Sequence, residues 1–167
     1  MRLDPTLFER LAAGELSLFR YVTWRRDFGL CSPVAGAKDA GAFGELQAIG
    51  EGHVAALAPG RWVWVATHAD VAPPAADESV RIDLSASVIA YRLGRSRLDA
   101  LLRRHAPAAL DCDLMAPGFR RFGFASWTIE IVILPDRPAL VLVPRDHAAN
   151  FESLASRRLA PGRDSEG

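Results

Sequence analysis

The sequence predicts an α+β fold: a single antiparallel β-sheet with helices packed mainly on one face. Three observations carry that expectation. In Trp127–Leu134, residues Trp127, Ile129, Ile131 and Ile133 share one face while Thr128 and Glu130 open the other, the period of a β-strand. After Pro135-Asp136-Arg137-Pro138, the stretch Ala139–Val143 contains no polar residue, so it is predicted to fold back as a hairpin arm covered on both faces. The clearest alternation lies in Val80–Tyr91, where Val80, Ile82, Leu84, Ala86, Val88 and Ala90 oppose Arg81, Asp83, Ser85 and Ser87, as in a half-solvated antiparallel strand.

In chain order, Asp4 before Pro5 is a helix start, Leu7, Phe8 and Leu11 supply an apolar stripe, and Gly14 ends the helix. Leu16–Trp24 reads as a strand with both faces partly apolar, and Arg25–Gly41 as a loop punctuated by Gly29, Pro33 and Gly36. Phe43, Leu46, Gly50, Val54 and Leu57 fall at helical spacing, which Gly44, Gly50 and Gly52 weaken. A helix to Ile49 followed by a strand over His53–Leu57 is the alternative. Arg61–Thr67 is a strand with Trp62 and Trp64 on one face as core residues, and Ala69–Ser79 a surface loop. Ser96 and Asp99 have capping-box spacing before Leu98, Leu101 and Leu102, and Pro107 stops that helix. Asp146 caps a last helix that buries Phe151 and Leu154, with Arg157 and Arg158 at its dipole-favourable end. Residues 1–161 form one domain and 162–167 a flexible tail.

The totals suit a globular protein of one domain: half the residues are apolar and the formal net charge is zero. Zero charge argues against a nucleic-acid partner reached by a long-range field. The nineteen Arg against a single Lys (Lys38) fit GC-rich, bacterial-like codon usage. No apolar run suits a signal peptide or a membrane span, and Cys31 and Cys112 form no disulfide framework, so a cytoplasmic protein with free thiols is expected.

No nucleophile elbow, P-loop or HExxH is present, and Gly50-Glu51-Gly52-His53 lacks the third glycine and preceding strand of a phosphate cradle. No cofactor or metal set is predicted: His53, His68, His105 and Cys112 have no zinc spacing. The candidates for chemistry are few. His68 ends the two-tryptophan strand, with Asp70 placed to orient it as a base. Arg92, Arg95, Arg97, Arg103 and Arg104 form a basic cluster within thirteen residues opposed only by Asp99, and the first three, beside Tyr91, make a candidate anion site with a stacking surface. Leu93-Gly94-Arg95-Ser96-Arg97-Leu98, followed later by the terminal strands, loosely resembles the order of elements in chorismate lyases, which implies an antiparallel sheet over a buried aromatic-carboxylate site. The sequence departs from that pattern in having no glutamate in Leu140–Pro144 and no arginine in Gly52–Leu57, so the resemblance is not adopted.

Two functional readings follow. One is a non-catalytic regulatory or accessory domain acting through contact with a protein partner or by self-association. The other is a pocket protein or small enzyme for an anionic metabolite, aromatic ones included. The thiol expectation is directly testable. With Cys31 and Cys112 free, a reducing agent leaves the melting temperature unchanged, whereas a structural bridge is worth about 2–4 kcal/mol and its loss would lower it clearly.

Overall fold

The computed structural model describes residues 8–24, 32–68, 71–106 and 116–159. These form ten strands and two α-helices: β1 (Glu9–Arg10), β2 (Ser17–Thr23), β3 (Gln47–Ile49), β4 (Gly52–Ala58), β5 (Arg61–Ala66), β6 (Ser79–Asp83), β7 (Val88–Leu93), α1 (Arg95–His105), β8 (Gly118–Phe124), β9 (Trp127–Ile133), β10 (Ala139–Pro144) and α2 (Ala148–Leu159). One turn of 3₁₀ helix, Arg145–His147, leads into α2.

The expectation of an α+β fold built on a single sheet is overturned: the described residues are mostly β, with only two α-helices. There are two antiparallel five-stranded sheets, in the orders β1-β7-β10-β9-β8 and β3-β4-β5-β2-β6. The point of division lies inside the most regular pattern of the sequence. Val80–Tyr91 is two strands, β6 in the second sheet and β7 in the first, separated by a turn at Leu84–Ser87. The polar residues of the alternation make this turn. Asp83 Oδ1 accepts from Ser85 N–H at 2.9 Å, and Ser87 bonds Leu84 O through both its N–H and its hydroxyl, at 2.9 and 2.7 Å. Such local side-chain bonds offer the backbone an alternative to the ladder. Ser85 also receives Leu18 N–H on its hydroxyl, which anchors the turn to β2.

The inner faces of the sheets meet through Leu18, Ala55, Val63 and Val65 on one side and Ala90, Phe119, Val132, Leu140 and Leu142 on the other. The helices cover the outer face of the first sheet, where Tyr91, Ile129, Ile131, Ile133, Val141 and Val143 pack with Leu98, Leu101, Leu102 and Phe151. The loops between β2 and β3 and between β5 and β6 supply Val34, Ala40 and Val71 over the outer face of the second sheet, above Tyr21, Trp62 and Trp64. Tyr21 fixes this cover by donating its hydroxyl to Pro74 O at 2.8 Å. The two tryptophans are core, as expected.

The hairpin over Trp127–Pro144 forms as predicted, with Val141 opposite Ile131. So do the strand in Leu16–Trp24, which becomes β2, and both later helices. Other local expectations give way. The first helix is absent over its described part. Phe8 instead packs on Tyr91 and Phe151, and Glu9–Arg10 extends the first sheet beside β7, so pairing at an open edge outweighs helix propensity. Asp4, Pro5 and Leu7 lie outside the described residues, as do Cys31, Cys112, Pro107 and the 162–167 tail. Helix α1 starts from Gly94 without a side-chain cap, and Asp99 accepts from Arg103 Nε at 2.7 Å instead of closing a capping box.

The helical reading of Phe43–Ile49 also fails, and Gly44 is the cause. It sits at φ +81°, its N–H bonds Ala56 O at 2.7 Å, and its carbonyl accepts from Phe119 N–H at 2.7 Å, so it links β4 to β8 across the sandwich. A Cβ there would lie 2.5 Å from Phe119 O. Gly44→Ala therefore combines left-handed strain with a backbone clash and is expected to cost about 2–3 kcal/mol. Urea denaturation checks this. An unchanged midpoint would show that the bridge between the sheets is dispensable.

Candidate binding site at the open end of the sandwich

A charged residue stands in the middle of each of two otherwise uncharged strands, and the fold brings them together. Arg20 of β2 and Glu130 of β9 both face inward, and the guanidinium Nη2 donates to Glu130 Oε1. The side chains are 17 and 14 % exposed. Arg20 also lies over the Phe119 ring, 5.3 Å from its centroid, a cation–π contact. Its Nη1 is buried and has no hydrogen-bond partner among the described residues. Burial lowers the pKa of this guanidinium, Glu130 opposes the shift, and the like charge of Arg121 adds to it.

The pair sits where the sheets splay. A cavity of about 410 Å³ opens beside it, lined by Arg20, Arg61, Arg121, Glu130, Phe119 and Ile82 among others. A second, more open cavity of about 530 Å³ shares Arg20, Arg121 and Glu130 and runs on toward Trp127 and His147. Those two rings stack 4.8 Å apart, with 9° between their planes. Among the described residues lining the first cavity, three guanidiniums face one carboxylate. The mouth is also apolar. Val22, Phe43 and Ile82 line it, Val80 is the cross-strand neighbour of Val22, and Trp24 follows on the same side of β2. These five are the exposed large apolar side chains of the described residues, between 41 and 64 % accessible.

The residues singled out from the sequence fall elsewhere. His68 is exposed at the end of β5, beside a smaller cavity of about 200 Å³ that also takes in His53, Arg92 and Arg137. Asp70 lies outside the described residues. His53 is held below the usual imidazole range by burial, then by the charge of Arg137. Tyr91 and Arg92 point to opposite faces of β7. Tyr91 is buried under α2 and donates its hydroxyl to Glu152 at 2.8 Å; burial and that bond raise the phenol's pKa. Arg92 pairs with Glu9 at 3.2 Å, Arg95 donates to Leu134 O at 2.6 Å, and Arg97 is half-buried on α1. The structure thus unites His68 with Arg92 and separates both from Tyr91.

Sequence reasoning missed Arg20, Arg61, Arg121 and Glu130. One signal was available: a lone charge within Leu18-Phe19-Arg20-Tyr21-Val22, and another within Trp127–Leu134, is costly to bury unless the two meet. Glu130→Leu leaves Arg20 unpaired in the gap and should destabilise the fold by about 2–4 kcal/mol, whereas adding Arg20→Met to it should restore much of the loss. Chemical denaturation of the three variants checks this. A single variant as stable as wild type would mean the pair is fully solvated.

No protein-family model matches this sequence, and no curated protein sequence matches it. The fold is similar to that of one chain in the heterotetrameric sarcosine oxidase from Corynebacterium sp. U-96 in complex with pyrrole 2-carboxylate, with a TM-score of 0.72 over 96 % of this chain and 86 % of that one. The two chains are 14 % identical, so the likeness is one of fold.

Proposed function

We propose that this chain is a non-catalytic accessory subunit of a multi-subunit enzyme, docked through the open end of its sandwich. The observation that carries the reading is the gathering of exposed apolar side chains at one mouth, where Val22, Phe43 and Ile82 line the cavity and Val80 and Trp24 lie beside them on the same side of β6 and β2. Single exposed apolar residues are ordinary, but five gathered around one cleft are the mark of a contact surface. The polar groups at the mouth agree with it. The guanidinium donors of Arg20, Arg61 and Arg121 line this mouth and can hold an anionic group of a partner. The fold likeness to a chain of a heterotetrameric oxidase adds support and makes an amine-oxidising assembly, with sarcosine as substrate, the first to test.

A second reading has its own observation. A cavity of about 410 Å³ with three guanidiniums and the Phe119 ring would also suit an anionic aromatic metabolite. The two readings separate in one experiment. The tagged protein is recovered from its native cells at endogenous level, and the mass of its complexes is measured by native mass spectrometry. The accessory-subunit reading expects a heteromeric assembly of fixed stoichiometry, from which Val80→Asp with Ile82→Asp releases a folded free chain. A wild-type protein found only as a free monomer would refute it. Thermal stabilisation of that free chain by an aromatic carboxylate would then favour the metabolite.

A further inference from the structure

We infer that β6 is a strand-addition site, and that it takes an extended segment of the partner protein bearing an acidic side chain for Arg121 and Arg20. This rests on the accessory-subunit reading and names the partner element that reading leaves open.

β6 is the outer strand of the second sheet, and no described segment pairs with its far side. The direction of its hydrogen bonds follows from its ends. Leu84 N–H bonds Leu18 O at 2.9 Å and Trp24 N–H reaches Glu78 O at 3.4 Å. Both pairs continue the β2–β6 register by one residue at either end, so the even residues of β6 spend their backbone groups on β2. The N–H and C=O of Ser79, Arg81 and Asp83 therefore face outward. Edges are usually blunted by proline, bulges or inward-pointing charges. β6 has no proline and no register shift against β2, and the residues it turns inward, Val80 and Ile82, are 53 and 43 % exposed.

A strand laid along this edge would place every second side chain beside Val80 and Ile82, under the lip of the first sheet. Ile82 and Arg121 line the same cavity, and there guanidiniums outnumber carboxylates three to one. An acidic side chain at that position relieves the repulsion between Arg121 and Arg20, and apolar neighbours cover Val80 and Ile82. Charge also argues against a second copy of this chain as occupant, because pairing β6 with β6 would bring two arginine groups together. Backbone bonds supply the grip and the alternate side chains the selectivity, as in other β-augmented complexes.

The test uses the assembly isolated from native cells and compares its amide hydrogen exchange with that of the free chain. Amides of Ser79, Arg81 and Asp83 should exchange at least about tenfold more slowly in the complex. Arg81→Pro removes an outward N–H without touching the β2 ladder and should weaken association at least about tenfold, while Arg81→Ala, which keeps that N–H, should not. Arg121→Glu should weaken it by about tenfold or more, and the wild-type association should weaken as salt rises. If Arg81→Pro fails to fold, the exchange measurement on wild type still decides. A heteromeric complex whose β6 amides exchange as in the free chain overturns strand addition and leaves the accessory-subunit reading standing. The same amides protected in a homodimer overturn the choice of partner, and no complex at all overturns both.

Discussion

Leu18, Ala55, Val63 and Val65 of one sheet meet Ala90, Val132, Leu140 and Leu142 of the other, and the sheets can close only as far as these side chains reach. Such a contact packs to near-crystalline density and tolerates little displacement. At one end of it, Arg20 and Glu130 replace aliphatic side chains, and the sheets part around them. The ion pair joins the two sheets where apolar contact stops. A pair of this kind contributes little net stability, because desolvation offsets most of the attraction, but loss of either partner is costly. It therefore sets the spacing of the mouth more than it strengthens the fold.

The layers explain why the open end is where function gathers. The outer face of the first sheet lies under two helices and that of the second under two loops, so neither offers a broad apolar surface. What remains is the splayed edge, with Val80 and Ile82 on β6 and Phe43 on the loop that Gly44 ties to Phe119. The same glycine that bridges the sheets thus also positions one lip of the mouth. Arginines at the floor and apolar side chains at the rim form a surface that can select a partner by charge and hold it by burial.

The site was poorly legible in the sequence for a physical reason. The basic cluster Arg92–Arg104 is dense along the chain, yet the structure disperses it: Arg92 pairs with Glu9, Arg103 with Asp99, and Arg95 with a backbone carbonyl. The arginines that do converge come from β2, β5 and β8 and are far apart in sequence. Proximity along a chain measures charge density, whereas a site depends on which strands cross. The isolated charges of Arg20 and Glu130 within apolar runs were visible, but only the fold could show that each resolves the other.

By itself, the sequence determined the elements whose pattern is locally complete: the β9–β10 hairpin, the strands β2 and β5, and the buried stripes of α1 and α2. These follow from alternation, β-branching and helical spacing, which act within a few residues. Tertiary structure decided what local pattern leaves degenerate. An unbroken alternation from Val80 to Tyr91 fits one strand or two, and side-chain bonds at Leu84–Ser87, together with an anchor on β2, split it between sheets. Likewise Phe8–Arg10 could be helix or strand until β7 offered an edge and Tyr91 with Phe151 a place for the ring. Local periodicity assigns a side chain to a face of its own element, but which sheet that element joins depends on contacts between residues remote in the chain.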